Sequence, residues 1–213
     1  PPRQHGYFAF QSENAKDSKV KDLKEFFHVY PDSPLPDKLA LMTEAIYADL
    51  QNLGLEILSW IQHETPDEIA NHFSMPLDDM MRGSKQSLLR ILHYPPIENA
   101  EQGAIRAAAH EDINLITLLL SGSKPGLQAK DADGNWHDIS CDPGMITINN
   151  GDMLAMVSDD YYPSTTHRVV NPDVNQNQSR YSMPMFLHPR SEVLLKPGMT
   201  ADSYLQERLK EIG

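Results

Sequence analysis

Cysteine, long apolar runs and basic residues are all scarce in this sequence. The only cysteine is Cys141, which excludes an internal disulfide and fits a reducing cytoplasm. No run of 18 apolar residues occurs, and this argues against a transmembrane helix. Lysine and arginine total 18 against 30 acidic residues, for a formal net charge of −12. A surface that binds nucleic acid without sequence preference needs a basic stripe, so we expect neither nucleic acid nor membrane as a partner.

The remaining composition is that of one ordinary globular domain. The chain has 213 residues, of which 40% are hydrophobic and 23% charged, enough to bury a full core. Changes in pattern divide it into four predicted segments. These are a loop-and-strand segment over 1–35, a helical segment over 36–86, a β core over 87–195 and a C-terminal helix over 196–213.

Hydrophobic periodicity predicts the elements within these segments. From Asp37 to about His63 apolar residues recur at helical spacing, which predicts a long amphipathic helix packed on the outside of the β core. From Ser87 onward short strands separated by turn residues are predicted. They are Leu88–Tyr94, Ala104–His110, Leu115–Leu120, Gly126–Lys130, Trp136–Asp138, Met145–Asn149, Met153–Val157, Thr166–Val170 and Tyr181–Leu187. So many short strands suggest a mainly β fold with flanking helices, built on a double-sheet jelly roll.

Two histidines and an aspartate form the most informative pattern. His110 and Asp112 are an H-x-D pair that points to one side of an extended strand, and His167 lies in a later β-branched run. Two imidazoles and one carboxylate can hold one face of an octahedral Fe(II) and leave the other face open. H-x-D alone is a weak signal, and three protein ligands with a water also describe catalytic zinc.

Arg180 and Ser182 help to choose between these metals. Their R-x-S spacing on a predicted strand places a guanidinium and a hydroxyl on one face, which suits a carboxylate. A zinc hydrolase has no need of such a fork. The pattern therefore favours an iron site beside a carboxylate-binding site.

In order along the chain, these motifs resemble the isopenicillin-N-synthase-like family of iron- and 2-oxoglutarate-dependent dioxygenases. The resemblance covers Leu89 to Leu195 and rests on eight short stretches: His93–Pro96, Ala109–Asp112, Leu115–Leu119, Gly126–Gln128, Asp133–Trp136, Asn150–Leu154, Thr166–Val170 and Arg180–Ser182. It implies a double-stranded β-helix core and an iron centre on His110, Asp112 and His167.

The resemblance also implies how the cosubstrate and O2 are used. One carboxylate of 2-oxoglutarate would lie on Arg180 and Ser182, and Tyr94 could donate a hydrogen bond to the cosubstrate. Plant members carry Asn two positions before that tyrosine, where this chain has Leu92. Reaction with O2 would oxidise a C–H bond, most simply by hydroxylation, with release of succinate and CO2. Family members usually have a further N-terminal segment, so we expect this chain to be a truncated or partly ordered version.

Substrate contacts are the least constrained part of the sequence. Arg90 shares a strand face with Tyr94 and is a candidate contact for a carboxylate inside the barrel, with a surface salt bridge as the alternative. Tyr161, Tyr162 and Phe186 are candidate aromatic walls. Together they suggest a small, partly apolar organic molecule, such as an organic acid or an amino-acid-derived metabolite.

Two other functions fit the same motifs. An iron-dependent oxidase of this family that does not use 2-oxoglutarate keeps the R-x-S pair. A non-catalytic jelly-roll binding protein could retain an inherited metal site. The sequence does not indicate an oligomeric state.

Overall fold

The computed structural model describes residues 5–14, 20–98 and 101–212, so parts of the predicted segments 1–35, 87–195 and 196–213 lie outside the described residues. The strands are β1 (Gly6–Phe8), β2 (Glu25–Val29), β3 (Leu88–Tyr94), β4 (Ala107–His110), β5 (Ile116–Leu120), β6 (Leu127–Lys130), β7 (Trp136–Asp138), β8 (Ile146–Asn150), β9 (His167–Val169), β10 (Arg180–Leu187), β11 (Leu194–Lys196) and β12 (Met199–Thr200). The helices are α1 (Asp37–Glu64), α2 (Asp67–Ala70), α3 (Leu77–Met81), α4 (Asp152–Val157) and α5 (Ala201–Ile212), with one 3₁₀ turn at Val174–Gln176.

Two antiparallel sheets form the β core. The larger sheet has six strands in the order β1-β2-β3-β10-β5-β8, and the smaller has four in the order β4-β9-β6-β7. Strands that are distant in sequence, such as β3 and β10, lie side by side, as in the predicted jelly roll. The predicted mainly β architecture with flanking helices is confirmed.

Helix α1 packs against the outer face of the larger sheet. Its buried residues Leu50 and Leu58 share one core with Leu118 and Leu187 from the sheet. The helix approaches closely at Gly54, where a Cβ atom would lie only 2.1 Å from Cδ1 of Leu187. Glycine therefore lets the long helix and β10 pack without a gap, and the predicted helix begins where the periodicity begins.

Strand alternation sends the two faces of the larger sheet to different places. On β10, Met185 and Leu187 are fully buried in the core beneath α1. Arg180, Ser182 and Phe186 point to the other face, toward the smaller sheet. The inner face of this sheet is therefore the one that can build a site.

The predicted strand Met153–Val157 is wrong, because these residues form helix α4. The run is apolar and almost entirely buried, and a short buried run has no periodicity that separates strand from helix. The Asn150-Gly151-Asp152 turn starts the helix, and the backbone N–H of Asp152 donates to the carbonyl of Asp112 at 2.7 Å. Helix α4 thus holds the loop that follows His110.

The two predicted terminal segments both contain strands. Strands β1 and β2 extend the larger sheet through pairing of β2 with β3, so this part of segment 1–35 belongs to the core. Strand β12 pairs with β11 before α5 begins, so segment 196–213 is only partly helical. Within the described residues, none of the helices combines the length and apolar character that a membrane span requires.

Candidate metal centre and cosubstrate cavity

An open cavity lies between the inner faces of the two sheets. Its empty space, including the opening to solvent, is about 700 Å³. The larger sheet contributes polar side chains to it from β3, β5, β8 and β10, and the smaller sheet contributes mostly apolar ones. His110, Asp112 and His167 lie in its wall, together with Tyr94, Arg90, Phe186, Arg180 and Ser182.

Three potential metal ligands converge in this wall. Nε2 of His110 lies 3.9 Å from Oδ1 of Asp112, and Nε2 of His167 lies 3.8 Å from the same oxygen. One ligand atom from each residue falls within 4.8 Å of the others. The pairing of β4 with β9 brings His110 opposite His167, which explains how residues so far apart in sequence meet.

The remaining polar atoms of these three side chains are already occupied. Nδ1 of His110 lies 2.7 Å from the carbonyl of Ala108, and Nδ1 of His167 lies 2.9 Å from that of Thr165. Donation from Nδ1–H to a carbonyl leaves Nε2 as the atom with the free lone pair. Both imidazoles are therefore oriented to present Nε2 to a common centre.

Asp112 is held in the same way. Its Oδ2 accepts hydrogen bonds from the Thr117 hydroxyl at 2.6 Å and from the Asn149 side-chain amide at 2.9 Å. Strand pairing of β5 with β8 places Thr117 directly opposite Asn149. Oδ1 is left facing the two histidines.

Electrostatics keep His110 and Asp112 in their ligating forms. Burial, and then the neighbouring His167, lowers the pKa of His110 to about 4, so its imidazole is neutral at neutral pH. Burial opposes ionisation of Asp112. His167, His110 and the hydrogen bonds from Thr117 and Asn149 outweigh that effect and hold its pKa below the usual range. Two imidazoles and one carboxylate with their free atoms turned inward fit a mid-series divalent ion such as Fe(II).

Arg180 occupies the same cavity and is almost fully buried, with 2% of its surface exposed. Its Nε donates to the carbonyl of Lys124 at 3.0 Å, and its guanidinium lies 5.2 Å from the centre of the Tyr94 ring. Its Nη1 is buried without a hydrogen-bond partner among the described residues. A Cβ atom on Gly122 would lie 2.6 Å from Nη2, so glycine provides the space for this side chain.

This orphaned guanidinium nitrogen is the strongest sign of an anionic ligand. A buried cation normally has a counter-charge, because desolvation costs several kcal/mol. Ser182 lies two residues along β10 and faces the same cavity. The two side chains fit a carboxylate group such as the one at the far end of 2-oxoglutarate.

Arg106 is a second buried cation in this region, which sequence reasoning missed. It is 1% exposed, its Nη2 donates to the carbonyl of Gln178 at 2.5 Å, and its Nε has no partner among the described residues. Burial and the nearby positive charge of Arg180 both lower its pKa. Arg106 carries no motif, and only the fold reveals that it lies close to Arg180.

Arg90 and Lys24 line another part of the cavity. Arg90 donates from Nη1 and Nη2 to the two carboxylate oxygens of Glu13, at 3.1 and 3.3 Å, and from Nε to His28 at 2.8 Å. Lys24 contacts Glu13 and Asp22, each at 2.8 Å. Arg90 therefore faces the cavity as expected, but its carboxylate partner is a residue of the chain. Lys24 was not expected, since an isolated lysine in a polar stretch carries no signal.

The three aromatic candidates separate into two groups. Phe186 lines the cavity, with its ring 5.4 Å from the Arg90 guanidinium. Tyr161 and Tyr162 were expected as a wall of the substrate site, but the structure does not bring them to the cavity. Tyr161 is 47% exposed, and the Tyr162 hydroxyl lies 3.0 Å from that of Thr65 at the end of α1. The left-handed backbone of Asp159 and Asp160 ends α4 and leads this loop away.

Comparisons with known proteins agree with this geometry. Residues 85–189 match the sequence model of the 2OG-Fe(II) oxygenase superfamily. A crystal structure of a Shewanella oneidensis protein described as an oxygenase is 52% identical, with a TM-score of 0.86 over 99% of this chain and 76% of that one. A Caulobacter crescentus protein assigned to the 2OG-Fe(II) oxygenase family is 35% identical, with a TM-score of 0.72 over 97% of this chain and 75% of that one.

A third similar structure contains the cosubstrate itself. A full-length Neurospora crassa protein in complex with alpha-KG, which is 2-oxoglutarate, is 27% identical, with a TM-score of 0.78 over 97% of this chain and 73% of that one. Among curated relatives, clavatol oxidase claD from Penicillium crustosum is 29% identical over 78% of this chain. The chain spans about half the length of the first curated relatives that it matches, with 48%, 58% and 57% of each covered. With its His-Asp-His triad, its buried arginine and these relatives, the chain belongs to the 2OG-Fe(II) oxygenase superfamily.

Proposed function

We propose that this protein is an Fe(II)- and 2-oxoglutarate-dependent oxygenase that oxidises a C–H bond of a small organic molecule. The observation that carries the proposal is the sharing of one cavity by His110, Asp112, His167 and Arg180. A metal triad alone fits several enzymes, but a buried guanidinium with an unpartnered nitrogen beside it calls for a carboxylate. When bound, iron and 2-oxoglutarate supply the O2-dependent chemistry, with succinate and CO2 as by-products.

The chain's own residues position these groups. His110, Asp112 and His167 would hold the metal, and the bonds from Thr117 and Asn149 fix which oxygen of Asp112 faces it. Arg180 and Ser182 would orient the distant carboxylate of 2-oxoglutarate, while Tyr94 packs beneath the guanidinium. The smaller sheet lines one side of the cavity with mostly apolar side chains.

The relatives suggest where to begin the search for a substrate. The same Neurospora crassa protein has been crystallised with thymine and with 5-formyluracil, in structures that are 25% and 28% identical to this chain. A flat, partly apolar ring of that size suits a cavity with Phe186 in its wall, and pyrimidine bases are the first compounds to test. We also propose a cytoplasmic location, supported by the single cysteine.

The decisive experiment measures release of labelled CO2 from 2-oxoglutarate by the iron-loaded protein, with and without candidate substrates. We expect CO2 release to increase with substrate, and Asp112→Ala should abolish it. Loss of a hydrogen bond to a metal ligand already costs roughly 10–100-fold in metal affinity, so loss of the ligand itself should cost more. Asp133→Ala, in an exposed turn, is the matched control. Wild-type turnover by Asp112→Ala would refute the proposed metal site.

The same assay separates the alternative functions. An iron oxidase that does not use 2-oxoglutarate would consume O2 and convert substrate with no labelled CO2 released. A binding protein with an inherited metal site would bind compounds but give no turnover under any condition.

A further inference from the structure

Four charged residues surround one part of the cavity wall: Glu13, Asp22, Lys24 and Arg90. We call them the balanced cluster. Arg90 forms the paired contacts to Glu13 described above, while Lys24 bridges Glu13 and Asp22. Asp22 also accepts the backbone N–H of Ala108, two residues before His110, at 3.0 Å. The cluster is thus joined directly to the strand that carries the first metal ligand.

The charges within this cluster cancel. It contains two cations and two carboxylates, and three of the four side chains are at most 17% exposed, with Glu13 at 24%. Arg90 also donates from Nε to Nε2 of His28, which acts as the acceptor. Arg90 and Lys24 outweigh the effect of burial and hold the pKa of Glu13 well below its usual range, so Glu13 is ionised.

A charged substrate would be repelled electrostatically by residues of the same sign at this wall. A substrate carboxylate bound to Arg90 or Lys24 would lie close to the like charges of Glu13 and Asp22, which is unfavourable. A substrate cation would meet Lys24 and Arg90 at the cavity surface. A neutral group avoids both costs.

Hydrogen-bond donors nevertheless remain available. An ammonium group has three N–H donors, and the contacts of Lys24 to Glu13 and Asp22 use two of them. A guanidinium has five, and the contacts of Arg90 to Glu13 and His28 use three. Both side chains line the same cavity as His110 and His167. The Arg90 guanidinium lies 4.4 Å from the centre of the Phe26 ring and 5.4 Å from that of Phe186.

From this arrangement we infer that the substrate carries no net charge at this wall and presents hydrogen-bond acceptors, such as ring carbonyl groups, to Lys24 and Arg90. This inference rests on the proposed function and narrows it. It replaces the organic acid suggested by the sequence, because the carboxylate that Arg90 was expected to bind is Glu13. Lys24 and Arg90 become specificity-determining residues.

The test uses matched neutral and acidic compounds with the protein loaded with Mn(II) and saturating 2-oxoglutarate, so that the cosubstrate site is filled. The pairs are thymine with uracil-5-carboxylate and benzamide with benzoate. Binding is measured by calorimetry. The wild-type protein should bind the neutral member of a pair and reject the acid. Tighter binding of the acids by the wild-type protein would overturn the inference.

Glu13→Gln provides the sharper test, because it keeps the shape of the side chain and removes one negative charge. The cluster would then carry a net positive charge, and benzoate affinity should rise by about tenfold or more relative to benzamide. Asp22→Asn removes a charge from the same cluster and should shift the preference in the same direction, which protects the test if one variant folds poorly. Glu25→Gln on β2 is the matched control, since Glu25 contacts Tyr7 and His93 outside the cavity wall.

The outcomes distinguish this inference from the proposed function. Binding of 2-oxoglutarate to the Mn(II)-loaded protein is measured first and tests the proposed function by itself. If 2-oxoglutarate binds but neither Glu13→Gln nor Asp22→Asn gains affinity for benzoate, the inference fails and the proposed function survives. If 2-oxoglutarate does not bind, the proposed function fails at that first step.

Discussion

Two parts of the cavity each have a pair of cationic side chains in or behind the wall, but only one of these pairs has carboxylate partners within the chain. Arg180, with Arg106 beside it, forms no ion pair among the described residues. Lys24 and Arg90 are neutralised by Glu13 and Asp22. Along β10, the position of Arg180 and the one opposite Arg90 are four residues apart, or about 13 Å. One cavity therefore combines an electropositive end and an electrically neutral end.

The difference shows how charge count can assign ligands to the two ends. Buried cations without partners favour a ligand that brings negative charge, which a dicarboxylate such as 2-oxoglutarate does. Cations that are already paired with carboxylates can still donate hydrogen bonds. Each pair as a whole, however, has little net charge with which to attract an anion. The electropositive end suits the cosubstrate, and the neutral end suits an uncharged substrate.

The largest expected effect comes from breaking the electropositive end. Arg180→Met removes a buried charge-assisted contact, and the dissociation constant for 2-oxoglutarate should rise by about 100-fold, or roughly 3 kcal/mol. The affinity for 2-oxopentanoate, which lacks the second carboxylate, should change little. Calorimetry on the Mn(II)-loaded protein measures both. Equal losses for the two ligands would show that Arg180 does not contact that carboxylate.

A smaller effect should follow from Arg106→Met. Arg106 does not line the cavity but adds positive potential behind Arg180, so we expect about a tenfold loss of affinity for 2-oxoglutarate. Arg106→Lys should recover part of this loss. Arg208→Met is the matched control, since Arg208 has its own acidic partner in Asp152. A purely structural role for Arg106 would weaken 2-oxopentanoate binding equally.

The sequence predicts an end of the cavity well only where the residues that form that end follow a local sequence pattern. The H-x-D and R-x-S pairs put residues on one strand face, and strand alternation alone predicts that Arg180 and Ser182 point together. The long helix from Asp37 was predictable from its periodicity, whereas the buried run Met153–Val157 had none and was assigned wrongly.

The balanced cluster depends instead on contacts between residues distant in sequence. Glu13 meets Arg90 across 77 positions, and Asp22 meets the backbone of Ala108 across 86. Nothing in the local sequence distinguishes these acids from the other acidic residues on a chain with 30 of them. The sequence therefore predicted Arg90 as a carboxylate contact but could not identify Glu13 as its partner.

Gly122→Ala should reduce cosubstrate affinity without removing any charge. The new methyl group would lie 2.6 Å from Nη2 of Arg180, so the guanidinium must shift inside a packed site. We expect a loss of several-fold in 2-oxoglutarate affinity, smaller than that of Arg106→Met because the charge remains. Benzamide binding at the neutral end should be unchanged. An unchanged 2-oxoglutarate affinity would mean that the position of Arg180 is not restricted by this backbone.

The two ends should also differ in how the stability of the metal-free protein depends on pH. Arginines do not titrate in the accessible range, so Arg106→Met should change stability by a similar amount at every pH. Glu13 does titrate, and it faces Lys24, Arg90 and His28, with Asp22 on the far side of Lys24. Its pKa is lower in the folded state than in the unfolded chain. Its stabilising effect is therefore complete above the unfolded pKa, about 4.3, and is lost as the pH falls below it.

Glu13→Gln should accordingly be less stable than the wild-type protein at pH 7, and the difference should shrink as the pH falls below about 4. Thermal unfolding of the metal-free proteins between pH 7 and pH 3 measures this trend. Glu44→Gln, on an exposed position of α1, is the control and should match the wild-type protein throughout. A difference that stays constant with pH would show that the stabilising effect of Glu13 does not depend on its ionisation. The neutral end would then lack the ionised counter-charge that distinguishes it from the electropositive end.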